Sequence, residues 1–334
     1  MKKILALGLV LMLVLSLLTA CGGNSGGSST ANSAPTASNS GGNDSKPAST
    51  AAQESETVEY DQVIYDDNGM KVTLTGYKHE AGSEYISEGH YWYFTIENHT
   101  DREINTRLLR SSVNGCMYEL EQGVIRTEAG ETKETKDKVW LRASDLNARG
   151  ITTIENFEFI LWFDEQNGNQ WIKYAASEPI TLPAPVPLDP GFKQTFDVDG
   201  IVAVDREGIK VTVIRADHDI GMVGDRHGIW MFIENNSGID VNFEAASDIV
   251  NDNPKYFDGK LFCNILNGKV AFGYLEYYKP RFEENGESKI ETAELQFYVE
   301  NFESDGHGNH DWLIGGAGDD AYITVSFDAE GKVR

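Results

Sequence analysis

Cysteine is scarce in this chain: three residues in 334, at positions 21, 116 and 263. Two thiols as far apart as Cys116 and Cys263 build neither a disulfide framework nor a cysteine-based zinc site. They read as two buried free thiols, with a single inter-domain bridge as the alternative. Positive charge is equally short. Lys and Arg number 28 against 53 Asp and Glu, for a net charge of −25. Nucleic acid is bound by neutralising its phosphates with Lys and Arg, so this balance argues against it. It also argues against an electrostatic hold on anionic headgroups, and fits acidity that keeps an exported protein soluble. No apolar run reaches the roughly 20 residues of a membrane span; the longest is Ile4 to Leu18, broken once by Ser16. Recognisable catalytic signatures are missing too. There is no nucleophile elbow, His-Glu-x-x-His, phosphate loop or dinucleotide fingerprint. Gly315-Gly316-Ala317-Gly318 is not followed by Lys-Ser or Lys-Thr.

What is present begins at the N-terminus. Lys2 and Lys3 precede the apolar run, and small residues follow it, the pattern of a signal peptide over residues 1–20. Leu18-Thr19-Ala20-Cys21 resembles the lipobox of bacterial lipoproteins. That resemblance implies a diacylated Cys21 as first mature residue and an extracytoplasmic chain lipid-anchored to the cell membrane, two acyl chains sufficing for stable anchoring. Residues 21–57 are mostly Gly, Ser, Asn, Ala, Thr and Pro. Such a segment buries too little surface to offset its chain entropy and is expected to be a disordered tether with a reach of roughly 30–36 Å.

From Val58 the composition turns globular and repeats itself. Asp66-Asp-Asn-Gly-Met-Lys-Val-Thr-Leu74 matches Asp205-Arg-Glu-Gly-Ile-Lys-Val-Thr-Val213, and Phe94-Thr-Ile-Glu-Asn-His-Thr100 matches Met231-Phe-Ile-Glu-Asn-Asn-Ser237. Weaker matches pair Ser112–Gly115 with Ile249–Asp252 and Ile154–Ile160 with Ile290–Gln296. An internal repeat of this kind sets the domain count: one copy over 58–184, a Pro-rich linker over 185–195 and a second copy over 196–334. The linker reads as semi-rigid and extended. Within each copy the apolar period is two. Val72, Leu74 and Gly76 alternate with Lys71, Thr73 and Thr75. Further strands are expected over 104–113, 157–163 and 171–174, and over 260–265, 269–278, 294–299 and 322–327. The one helical candidate is a turn around 144–147. About seven short strands in roughly 125 residues predict an all-β chain of two tandem immunoglobulin-like β-sandwiches. A small barrel is the competitor.

The series "DDNGMKVTL … FTIENHT … SSVNG … FEFILWFD" resembles the immunoglobulin-like domains repeated in surface lipoproteins of clostridia and their relatives. The resemblance covers both copies and the lipobox. It implies an architecture and a location, and no chemistry, because the matching residues are those of turns and strands.

Candidate sites are therefore few. His307, His310, Asp311, Asp319 and Asp320 gather among glycines, a loop rich in the oxygen ligands that calcium takes but without EF-hand spacing. A solvated loop is the plainer reading. His79 with His90, and His218 with His227, flank corresponding loops and are two of the ligands a transition metal needs, with no third evident. The aromatic strand is the more informative. If Trp92, Phe94 and Ile96 face the core, then Tyr91 and Tyr93 face out, and Trp230 and Phe232 do so in the second copy. Outward aromatics stack on sugar rings or anchor a protein partner. The expectation is a non-enzymatic, lipid-anchored binding or scaffold protein without a cofactor, engaging a cell-envelope protein or glycan. An envelope hydrolase or metal-dependent enzyme using the acidic loops of the second copy is the alternative.

Overall fold

The computed structural model describes residues 56–82, 87–120, 124–135, 139–168, 170–196, 198–220, 224–254, 260–302, 311–316 and 321–334. The chain is an all-β sandwich protein. The first half contributes β1 (Glu56–Asp67), β2 (Met70–Glu80), β3 (Gly89–Asn98), β4 (Ile104–Val113), β5 (Cys116–Met117), β6 (Ile125–Thr127), β7 (Thr132–Glu134), β8 (Val139–Arg142), α1 (Ala143–Ala148), β9 (Asn156–Asn167), β10 (Gln170–Ala176) and β11 (Ile180–Pro183). The second contributes β12 (Ile201–Arg206), β13 (Ile209–Ile220), β14 (Arg226–Asn235), β15 (Val241–Val250), β16 (Lys260–Ile265), β17 (Lys269–Tyr278), α2 (Lys279–Glu284), β18 (Thr292–Asn301), β19 (Trp312–Ile314) and β20 (Tyr322–Ser326).

The strands alternate inward and outward with the period of two that the sequence shows. In the first half β1-β2-β3 carries β7 and β8 on its far edge and faces the group β6-β4-β9 with β10 and β11. In the second, β12-β13-β14-β17 faces β16-β15-β18 with β19 and β20. Each facing pair encloses its own apolar core. Trp92, Phe94, Phe157, Phe159 and Phe163 fill the first; Phe243, Phe297, Leu275, Tyr277 and Phe282 fill the second.

Paired asparagines fix the same turns in both halves. Asn98 Nδ2 donates to the carbonyls of Arg102 and Thr127 at 2.8 and 3.1 Å. Asn235 Nδ2 donates to those of Ile239 and Ile265, both at 2.8 Å. Asn114 Oδ1 accepts the backbone N–H of Glu155 and Asn156, as Asn251 Oδ1 does those of Glu291 and Thr292. Both of the latter asparagines have positive φ, 52° and 51°, a region that Asn tolerates better than other non-glycine residues.

The halves also join. The short β5 pairs antiparallel with β4 and parallel with β17, through Cys116 opposite Val270. The Val270 N–H donates to the Gly115 carbonyl at 3.0 Å. One ten-stranded sheet therefore runs from β10 to β12. Val270 and Phe272 pack against the first core, and Met117 packs against the second. Arg110, at a register shift in β4 with φ of 53°, lies 3.4 Å from the Asp240 carboxylate and 4.2 Å over the Phe302 ring. Lys269 pairs with Glu158 across the same junction. The stretch read from sequence as a semi-rigid, extended linker over 185–195 makes contacts at this junction. Val186 packs against the first core, Gln194 accepts from the Asn114 side chain at 3.1 Å, and just beyond it Phe196, the first residue of the second copy, meets Phe232 and Phe272.

Candidate functional site

The aromatic strand sits as its alternation demands: Trp92, Phe94 and Ile96 are in the core. Tyr91, Tyr93, Trp230 and Phe232 project from the opposite face, yet they meet different fates. Tyr91 is 8% exposed, because the Trp140 indole from β8 lies parallel to its ring, 5.9 Å away at 7°. Phe232 is 4% exposed. Phe272, its cross-strand partner, packs on it at 4.8 Å and Phe196 at 5.9 Å, since this part of β14 lies in the junction between halves. Neither ring is open surface. Tyr93 and Trp230 remain partly exposed.

What separates these two is a residue that the alternating pattern assigns wrongly. Gly76 was expected on the core face with Val72 and Leu74. A register shift between Leu74 and Gly76 inserts one extra residue in β2. A one-residue slip exchanges the faces of everything beyond it, so Gly76 turns outward opposite Tyr93, and Tyr77 takes the core position at 3% exposure. β13 makes the same shift, between Val213 and Arg215, and there the outward residue opposite Trp230 is Arg215. Arg215 lays its guanidinium over the Trp230 indole at 5.3 Å and holds it with two bonds from Nε to Asp217, at 2.9 and 3.0 Å. Trp230 in turn rests on Tyr274, ring centroids 4.6 Å apart.

In the first half the residue at that place is Gly76. The result is an open cleft of about 450 Å³ whose lining includes Gly76, Tyr93, Glu59, Glu134, Thr75 and Thr135. Glu59 lies in register with Gly76 on β1, and Glu134 on β7 is opposite Thr95, two residues from Tyr93 along β3. A Cβ on Gly76 would meet the Tyr93 ring at 3.4 Å and the Val58 carbonyl at 3.5 Å, ordinary contacts. The cleft thus has an aromatic wall, two exposed carboxylates and the half-buried Thr75, while the buried Thr135 hydroxyl accepts the Phe94 N–H at 2.8 Å. The sequence signal for it was the alignment of Gly76 with Arg215 within the repeat.

The histidines pair across strands, His79 opposite His90 and His218 opposite His227, with ring centroids 4.9 and 5.1 Å apart. His79 Nε2 bonds Glu88 at 3.0 Å and His90 Nδ1 bonds the Tyr77 hydroxyl at 2.7 Å. Burial, with His79 alongside, pushes the His90 imidazole down to about 4. Among the described residues no group of three or more His, Cys, Asp or Glu is placed to hold a metal. Of the acidic-loop candidates, Asp311 is exposed, with its carbonyl accepting the Asn301 N–H at 3.1 Å. His307, His310, Asp319 and Asp320 lie outside the described residues, as does Cys21. Cys116 and Cys263 are free thiols, pushed by burial up to about 11 and about 12.

Fold and site together define a β-sandwich protein with an aromatic-walled surface cleft on one of two repeated sheets. No protein-family model and no curated protein matches the chain. Among solved structures it is similar to red sea bream transglutaminase, at 8% identity and a TM-score of 0.18, over 71% of this chain and 30% of that one. The chain thus spans less than a third of that enzyme's length.

Proposed function

We propose that the chain is a lipid-anchored extracytoplasmic binding protein, held through Cys21 and a tether over 21–57, that engages a cell-envelope protein or glycan at the Tyr93 cleft. One observation carries this reading. The two halves repeat the same bulged strand pair, with Arg215 opposite Trp230 in one and Gly76 opposite Tyr93 in the other, and a cleft lined by Gly76 and Tyr93 opens at the second of these places. Binding sites of this kind combine an apolar or aromatic surface with a few placed polar groups, and an aromatic ring contributes much of the energy at such anchors.

The test is a crosslinking pull-down from intact envelope with the full-length protein, its Tyr93→Ala variant and its Gly76→Arg variant. The last places an arginine where the second half has Arg215, at a position where a Cβ meets ordinary contacts. One partner retained by the wild type and lost by both folded variants is the expected outcome. A partner set identical across all three proteins would overturn the assignment of the cleft.

A further inference from the structure

We propose that β10 is a self-association edge, on which a second copy of this chain adds its own β10 as an antiparallel neighbour. The inference goes beyond the Tyr93 cleft and does not rest on it.

The ten-stranded sheet ends at β10, and among the described residues no strand pairs with β10 on the side away from β9. In an antiparallel pair alternate residues turn their N–H and C=O groups away from the partner strand, so an end strand presents a row of unmade main-chain bonds. Folded proteins blunt such edges with charge or by keeping them short. β1, which ends the other sheet of the first half, carries Glu56, Glu59, Asp61, Asp66 and Asp67. In the second half β19 pairs with β18 as β10 does with β9, and it is three residues long. β10 has seven. Gln166 to Ile172 holds no charged residue, in a chain that is 24% charged. Gln170, Trp171, Ile172 and Lys173 are all exposed, Trp171 at 41% and Ile172 at 37%. Successive residues point to opposite faces, so this exposure covers both faces of the strand. The register shift between Lys173 and Ala175 lies past the stretch.

The pattern of the strand selects its occupant. Trp171 and Lys173 share a face, with Ile172 between them. A second copy running antiparallel, with Ile172 on the two-fold axis, sets Trp171 of each copy directly opposite Lys173 of the other. Directly opposite residues are the pairs that stabilise a sheet, and an ammonium beside an indole is a cation–π contact. Lys173 already makes one within its own chain, 4.5 Å over the Trp162 ring, so the second copy adds an indole to a cation held at the sheet surface. Charge points the same way. Two bodies of net charge −25 repel, and that repulsion is least at a segment without carboxylates. Of its two charged flanks, Glu165 is engaged by Arg102 and the other is Lys173. A basic strand of another protein would find its counter-charges on β1, not on β10.

The test is sedimentation equilibrium of the full-length protein in density-matched detergent. A reversible monomer–dimer equilibrium is expected, weak because a strand edge buries a small area, and tightening as salt screens the acidic bodies. Trp171→Lys sets lysines opposite each other and should raise the dimer dissociation constant about tenfold. Adding Lys173→Glu to it sets opposite charges across the same pairs and should restore association to within about threefold of the wild type. Ile172→Cys, on the axis, should give a disulfide-linked dimer on mild oxidation, and Thr181→Cys on β11 should not. Unchanged melting curves show that each variant is folded. A chain still monomeric at about 1 mM, a dimer insensitive to Trp171→Lys, a double variant no better than the single one, or equal crosslinking of the two cysteine variants would overturn the proposal.

Discussion

Single side chains in this protein work through what they satisfy or what they displace, and His90 shows the second case. Its ring lies beside His79, bonds the Tyr77 hydroxyl and is held down to about 4 by burial, against about 6.5 in an unfolded chain. Between these values the unfolded state binds a proton that the folded state excludes, so stability falls as pH drops from about 6.5 to about 4. The shift corresponds to about 3 kcal/mol at most, at 1.36 kcal/mol for each pKa unit. Urea midpoints measured across this range should decline more steeply for the wild type than for His90→Gln. Parallel curves would remove the histidine from the account. Asn98 shows the first case. Replacing it by Ala strands the buried carbonyl of Thr127 and should cost about 1–3 kcal/mol, as Asn235→Ala should through the carbonyl of Ile265. Chemical denaturation of each variant reads this directly. The repeat made these asparagines visible in the sequence, as the last residue of the shared Ile-Glu-Asn. Their bonding was not visible, because it depends on carbonyls about 30 residues away.

At the scale of elements, period-two alternation was enough to place the long strands. The ranges expected for 104–113, 260–265 and 269–278 coincide with β4, β16 and β17. Alternation fails where it is interrupted. The shift in β2 put Gly76 on the wrong face, and no residue type around Thr75 announces a bulge. The second helix was also missed. α2 follows directly on β17, and six residues are too few to be stable as a helix alone. It is kept by Phe282, fully buried in the second core, while the Glu287 N–H caps it at the Phe282 carbonyl. Leu146 does the same in α1, with Ile151 as the capping donor. Phe282→Ala should therefore cost about 3–5 kcal/mol and Leu146→Ala about 2–5 kcal/mol. A loss under 1 kcal/mol in either denaturation curve would mean that the turns hold themselves.

For the molecule as a whole, the sequence pointed to two modules joined by a Pro-rich linker, and in the structure one sheet and a shared aromatic cluster also connect them. Nothing in the composition of β5 distinguishes two paired residues from a turn, and the apolar faces of Val270 and Phe272 read equally well as belonging to one core. The energetic consequence can be measured. Phe272 packs against the first core from a strand of the second half, so unfolding one half exposes it and takes an edge from the other. Where such coupling exceeds the stability difference between halves, a chain unfolds in one cooperative step. Calorimetry of the wild type should give a single transition with calorimetric and van't Hoff enthalpies in agreement. Phe272→Ala removes the ring from between Phe196 and Phe232. That weakens the coupling more than either core and should broaden the transition or split it in two. Two transitions already in the wild type would show that the halves fold independently despite their common sheet.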